Sequence, residues 1–243
     1  MDADAEDYDE LSKPQYESGC KFISELNLSP GEKVLDMGCG TGQITKYIAD
    51  IVGPDGQAVG IDPDTARIKI AEEKYKEASH LQFHVGSSVT RFPHNNEPYY
   101  DVHVTTNAFH WFPHDQKKLY IQKTYQSLKP GGKLAIMCSD KVGQDRDDKH
   151  DIIDMHPLSE DELRKLFQEV GLFPNVVVKQ FNYLAHFETV EIYKRWIKAS
   201  SHQNLDDWDP AFVKSIMAEF VTFHDDGSVA SKIPSICITA SKE

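Results

Sequence analysis

The chain has 243 residues, enough for one α/β domain with a sizeable core. Its 39 Asp and Glu against 26 Lys and Arg give a formal charge of −13, which opposes nucleic acid and anionic membrane surfaces as partners and leaves a small molecule as the expected one. No run approaches the roughly 18 apolar residues of a membrane span, the start MDADAEDYDE is acidic where a targeting peptide is basic or apolar, and the four cysteines are scattered without a C-x-x-C pair. The expected setting is therefore cytoplasmic, with free thiols and no metal.

Residues 1–14 read as a mobile acidic start, since positions 1–10 carry six acids and little apolar besides Tyr8, with scope to close over a ligand. Gln15 to Leu26 has Phe22, Ile23 and Leu26 at helical spacing and stops at Ser29-Pro30-Gly31. Tyr16 on this helix either packs it onto the sheet or meets a ligand. Lys33 to Met37 is a buried strand, and Gln43 to Ile51 is a helix with Ile44, Ile48 and Ile51 on one face. Between them, Gly38, Gly40 and Gly42 let the backbone turn with positive φ and approach a ligand closely, while the helix start presents free N–H groups. A nucleoside-sized guest suits such a turn. Asp36 would repel a pyrophosphate and favour a cation, and Gln43 stands where a G-x-G-x-x-G dinucleotide fingerprint has its last glycine. S-adenosylmethionine, which carries an ammonium and a sulfonium, meets both conditions.

Gly53 to Gly56 turns into a second strand, Ala58 to Ile61, ending at Asp62 where a Rossmann-like unit places its ribose-binding acid. Asp64 to Ala78 is helical, and Leu81, Phe83 and Val85 alternate as strand three. Strand four is Asp101 to Thr106. Its exit holds Thr106, Asn107, His110 and Trp111, and a helix over Asp115 to Leu128 follows. Lys129-Pro130-Gly131-Gly132 launches strand five, Lys133 to Cys138. The connector Asp140 to His156 carries Asp145, Asp147, Asp148, His150, Asp151 and Asp154; without fixed ligand spacing it reads as solvated loop rather than a divalent-metal site. Ser159 to Glu162 is a capping box opening a helix to Val170, stopped by Gly171. Strand six is Val176 to Phe181. Two helices follow, Val190 to Ala199 with Tyr193, Trp196 and Ile197, and Pro210 to Phe223 with Val213, Ile216, Met217 and Phe220. Ile233 to Ala240 is strand seven.

In VLDMGCGTG (34–42), GIDPD (60–64), FHVGSS (83–88), YDVHVTTNAFHW (100–111) and LKPGGKL (128–134), the chain resembles the class I S-adenosylmethionine-dependent methyltransferases. The resemblance implies a Rossmann-like, doubly wound, seven-stranded and mostly parallel sheet, its last strand antiparallel beside strand five, with a helical insertion between strands six and seven. It implies one methyltransferase domain over 1–243: a core at 15–183, a helical cap at 187–232 and the last strand at 233–243. The cofactor-binding set it assigns is Asp36, Gly38, Cys39, Gly40, Asp62, Pro63, Gly86, Ser87, Ser88, Thr106 and Asn107. Ser87 departs from the family, which usually places an acid there for the adenine amino group.

By position at the exit of strand four, His110 and Trp111 belong to the acceptor side, with His110 either a hydrogen-bond donor to the acceptor or a base. The layout looks like the branch containing trans-aconitate and juvenile hormone acid methyltransferases, which implies a carboxylate acceptor. Lys194, Arg195 and Lys198 then either clamp that acid or form a solvated basic face. Thiol-dependent arsenite methylation is not expected. Two other readings stay open: a nicotinamide-dependent oxidoreductase, disfavoured by Asp36 and Gln43, and a catalytically silent cofactor-binding protein, hinted at by Ser87.

Overall fold

The computed structural model describes residues 2–89, 92–141, 155–201, 204–207 and 210–243. In chain order the elements are α1 (Asp2–Leu11), α2 (Lys13–Glu25), β1 (Lys33–Met37), α3 (Gln43–Val52), β2 (Gln57–Asp62), α4 (Thr65–Lys74), β3 (Leu81–Val85), β4 (Tyr100–Thr106), α5 (His114–Ser127) and β5 (Leu128–Ser139). There follow α6 (Glu160–Val170), β6 (Asn175–Gln180), β7 (Tyr183–Phe187), α7 (Val190–Ser201), α8 (Pro210–Phe220), β8 (Val221–Phe223), β9 (Val229–Ile233) and β10 (Ser235–Ser241).

The main sheet has seven strands in the order β3-β2-β1-β4-β5-β10-β6, parallel except for β10, which runs antiparallel to both neighbours. Strand order reverses between β1 and β4, where Asp36 faces Gly60 on one side and Val104 on the other. Such a switch point opens a crevice at the carboxyl ends of the strands. Alternation along β1 sends Leu35 and Met37 into one apolar cluster and Val34 into the cluster on the opposite face, so both faces of the sheet are covered. On one face α3 buries Ile44, Ile48 and Val52; on the other α6 buries Leu163, Leu166 and Phe167. The capping box at Ser159 forms in both directions, with Ser159 N donating to Glu162 at 2.8 Å and Glu162 N to Ser159 Oγ at 3.3 Å, and Gly171 ends the helix at φ 65°. A cap of this kind stabilises a helix by about 1 kcal/mol.

Three expectations change. The acidic start is not a loose tail: Asp2–Leu11 form a helix held by distant partners, with Asp9 accepting from Lys74 at 2.8 Å, Thr41 at 2.7 Å and Gln43 at 3.0 Å. The insertion is not purely helical, because β7, β9 and β8 form a separate three-stranded antiparallel sheet beside α7. The last strand expected over Ile233 to Ala240 forms as β10, antiparallel beside β5, with Pro234 separating it from β9 of the small sheet. The Lys129–Gly132 turn also proves to be an irregularity within β5, whose register against β4 shifts between Tyr100 and Val102. The acidic connector weighed as a metal site lies, from 142 to 154, outside the described residues.

Candidate active site

A cavity of about 740 Å³ opens over the ends of β1, β2 and β4, bounded by Met37 and Gly38, by Asp62 to Asp64, and by Asn107 and Ala108. Gly38 holds φ 81° and its amide donates to Ile61 O at 2.7 Å; a Cβ there would stand 2.2 Å from the Ala108 Cβ. That contact leaves room for glycine alone. Gly40 is at φ 56°, with the space a Cβ would take bordered by the Tyr8 ring at 2.9 Å. Its amide donates to Asp62 at 2.9 Å, and the other carboxylate oxygen of Asp62 accepts from Asp64 N at 2.9 Å. Both first oxygens are thus anchored to backbone. Burial raises the Asp62 carboxyl above the usual carboxylate range, opposed by those two backbone bonds.

Pro63, Ser87 and Ser88 also line this cavity, whereas Gly86 does not, its amide donating to Asp62 O at 3.0 Å. Cys39 and Thr106 face a smaller recess beside α2, and Asn107 reaches both. Tyr16 borders the recess and not the main cavity. Asn107 adopts φ 56°, a conformation asparagine tolerates better than most residues, and its buried Nδ2 has no hydrogen-bond partner in the protein. Asp36 does not border the cavity. It is buried beneath the turn with Thr45 donating to Oδ2 at 2.8 Å and Oδ1 unpartnered, and burial pushes its carboxyl up to about 7.

Phe109–Trp111 form a single 3-10 turn after β4, and both His110 and Trp111 line the cavity. The Ser139 amide donates to His110 Nδ1 at 3.1 Å, which puts the ring proton of the neutral imidazole on Nε2. Burial, with the Lys117 charge behind it, drops the His110 pKa to about 3. Lys117 is itself buried and donates to the Phe112 carbonyl, its ammonium 5.3 Å from the Phe109 ring; burial lowers its pKa to about 8. This pairing holds the loop that carries His110 and Trp111.

The basic cluster on α7 lies elsewhere. Arg195 pairs with Asp7 at 2.6 Å and Glu10 at 3.4 Å, Lys194 pairs with Asp206 at 2.8 Å, and none of Lys194, Arg195 and Lys198 lines the cavity. The guanidinium that does line it is Arg67, stacked on Tyr8 at 4.0 Å, 3.7 Å from Asp64 and donating to Ala199 O at 3.1 Å. Sequence reasoning passed over Arg67 and Gln15, and noted Tyr8 only as the apolar exception in an acidic stretch. That lone aromatic was itself a signal; Arg67 and Gln15 give none, being ordinary helix residues until α1 and α7 close on them.

A sheet of this order, with a glycine turn after the first strand and an acid ending the second, is the fold of the class I S-adenosylmethionine-dependent methyltransferases. Residues 34–132 match the family model described as a methyltransferase domain. Over 132 residues the chain is 30% identical to a putative methyltransferase, 235L, of Invertebrate iridescent virus 6, covering 54% of this chain and 46% of that protein. It is 28% identical to an arsenite methyltransferase of Halobacterium salinarum over 194 residues, 75% of this chain and 43% of that protein. The chain thus spans about half the length of the curated relatives it matches. Among solved structures, phosphoethanolamine N-methyltransferase 2 of Haemonchus contortus in complex with S-adenosyl-L-methionine superposes with a TM-score of 0.68 at 16% identity, over all of this chain and 57% of that one.

Proposed function

We propose that the chain is an S-adenosylmethionine-dependent methyltransferase acting on a small-molecule acceptor. The observation that carries this reading is Asp62, tied to the Gly40 amide at 2.9 Å across the glycine turn and bordering the cavity. There the carboxylate has lone pairs left for ribose hydroxyls. Two further features fit the cofactor: the glycine at position 38, which admits no Cβ, and the unpartnered Asn107 Nδ2, a donor free for a carboxylate or adenine nitrogen. Asp62, Pro63, Ser87, Ser88 and Asn107 would hold the nucleoside. Asp36, buried below with an unpaired oxygen and its carboxyl pushed up to about 7, would ionise more readily beneath a cationic ligand and then add a field that favours it. The same carboxylate continues to disfavour a nicotinamide dinucleotide.

S-adenosylmethionine supplies an electrophilic methyl: an acceptor lone pair bonds to carbon as the carbon–sulfur bond breaks, and the electron pair returns to sulfur in the departing S-adenosylhomocysteine. The protein's part is to orient the nucleophile about 3 Å from that carbon and to exclude water. His110 acts as a fixed donor: its Nδ1 is occupied by the Ser139 amide, so Nε2–H is the polar group it offers. An oxygen nucleophile suits that arrangement, since one lone pair can accept from Nε2–H while another attacks. A carboxylate, the acceptor of the trans-aconitate and juvenile hormone acid branch, is one such oxygen and needs no base.

Isothermal titration with S-adenosylmethionine and S-adenosylhomocysteine tests the reading. A saturable site is expected, weakened by about 1 to 3 kcal/mol in Asp62→Ala, the scale for hydrogen bonds to a charged group. No saturable binding of either ligand would sink it.

A further inference from the structure

The cavity lining falls into two chemical groups. Its charged lining, Asp62, Asp64 and Arg67, is gathered at the end of β2 and the start of α4, and those three are already bonded to backbone and to one another. A second group in the lining is apolar and aromatic, Trp111, Phe112, Tyr193, Trp196, Ile197 and Val213, interspersed with uncharged polar side chains such as Gln116 and Ser139. No charged side chain other than those three lines the cavity among the described residues.

In this second group the polar handle of Trp196 is taken. Trp196 Nε1 donates to Gln15 Oε1 at 2.8 Å, and Gln15 Nε2 in turn donates to Ser200 Oγ at 2.8 Å. Burial raises the Tyr193 hydroxyl's pKa, partly offset by the Ser231 side chain beside it. Tyr193 and Trp196 are locked as a stacked pair, centroids 6.0 Å apart, against Phe187 at 5.2 and 5.0 Å. They therefore offer ring faces to a guest rather than hydrogen bonds. The cations that could have met an anionic substrate, Lys194 and Arg195, are spent on Asp206, Asp7 and Glu10 away from the cavity. A polycarboxylate, phosphate or polyamine entering here would shed water with no charged side chain left to pair it beyond Asp62, Asp64 and Arg67, which are already bonded, whereas an apolar body would gain from burial.

We propose that the acceptor has an apolar body, ring or branched chain, with one polar reacting group: the body lies against Trp111, Tyr193, Trp196, Ile197 and Val213, and the reacting group meets His110. This rests on the methyltransferase reading and deepens it by naming the substrate class. It also separates the two halves of the carboxylate expectation, since a hydrophobic monocarboxylate fits this wall and a small polyacid such as aconitate does not.

The test uses probe pairs that share a nucleophile and differ in body: 4-phenylphenol against 3,4-dihydroxybenzoate, decanoate against citrate, and benzylamine against phosphoethanolamine. Binding to the full chain saturated with S-adenosylhomocysteine is measured by calorimetry, and methyl transfer from labelled S-adenosylmethionine in parallel. The apolar member of at least one pair should bind saturably, at least tenfold tighter than its partner, with a negative heat-capacity change. Val213→Glu should weaken that binding at least tenfold and Val213→Leu should keep it, both with S-adenosylhomocysteine affinity unchanged as the check on folding. Equal or stronger binding of the hydrophilic members, or no saturable binding by any apolar probe, overturns the proposal. Failure to bind S-adenosylhomocysteine at all would instead strike the methyltransferase reading.

Discussion

The Arg67 guanidinium lies 4.0 Å from the centroid of the Tyr8 ring, joining α4 to α1 at the edge of the cavity that both residues line. The same arginine reaches the Ala199 carbonyl of α7, so three elements far apart in sequence meet at one side chain. Tyr8→Ala should weaken S-adenosylmethionine binding by about 1 to 2 kcal/mol, the range for a desolvated cation–π contact, while Tyr8→Phe keeps the ring and should keep the affinity. Calorimetry on the two variants decides it, and equal affinity in Tyr8→Ala and the parent chain would refute a role for α1 at the cavity.

The core was legible in the sequence because its signals are local. Alternation in Lys33–Met37, the turn glycines and the capping box at Ser159 each require only neighbouring residues to act, and the structure places all of them where the pattern puts them. Helix α1 was not legible, since its partners Lys74, Thr41, Gln43 and Arg195 lie at least 30 positions away and its own apolar content is small. The small sheet was missed for a different reason. Tyr183–Phe187 and Val229–Ile233 are short strands whose nearest pair, Phe187 and Val229, is far apart in sequence, and the intervening helical periodicity dominated the reading. At the site, the backbone-anchored Asp62 was legible from register; the position of Asp36 beneath the cavity rather than at its wall was not, because two buried acids near the ends of neighbouring strands look alike in sequence and only the assembled cavity tells them apart.

Gly38→Ala places a methyl group 2.2 Å from the Ala108 Cβ at a backbone φ of 81°. Both strains are local, and together they should cost about 2 to 3 kcal/mol of stability, read as a lowered urea midpoint. Adding Ala108→Gly removes the clash but not the φ strain, so the double variant should recover part of the loss. Full recovery would show that the left-handed conformation is not a constraint here.

The thiols are placed for packing rather than for metalloid chemistry. Cys138 and Cys237 are buried on adjacent strands with their pKa values pushed up to about 12 by burial, and burial holds Cys39 well above its ordinary value. Thiolates are the metalloid ligands, so arsenite should not be methylated despite the likeness to a haloarchaeal arsenite methyltransferase. Mass spectrometry of the products from arsenite and S-adenosylmethionine checks this. Turnover that disappears in Cys138→Ala or Cys237→Ala would contradict it.

Acid should destabilise the fold through two buried histidines. His103, wedged against Ser127 at 2.9 Å, and His110 both have pKa values lowered from 6.5 to about 3 by burial. Between those limits the unfolded chain takes up protons that the folded one refuses, so the stability is complete above pH 6.5 and is lost as pH falls through the window. Each contributes a slope of about 1.4 kcal/mol per pH unit. Asp36, raised to about 7, acts in the opposite sense over part of the range, so the informative quantity is the difference between variants. His103→Gln should flatten the urea-measured slope between pH 6 and 4 by one histidine's worth, and an unchanged slope would mean that His103 protonates without cost.

His110 also sets a prediction for turnover. Its Nδ1 accepts from the Ser139 amide at 3.1 Å and its pKa is about 3, so across pH 5 to 8 it stays neutral with the proton on Nε2. A rate that depends on His110 as donor should therefore show no loss centred near pH 6.5, whereas a histidine base of ordinary pKa would lose activity as it protonates there. His110→Ala should reduce kcat/KM by about 10- to 100-fold, the equivalent of losing one hydrogen bond that positions the acceptor, with S-adenosylmethionine affinity kept. His110→Gln can still present an N–H and should recover part of the loss; His110→Phe keeps the ring volume and should recover none. If His110→Phe matches the parent chain in turnover, the imidazole serves only to fill the wall beside Trp111.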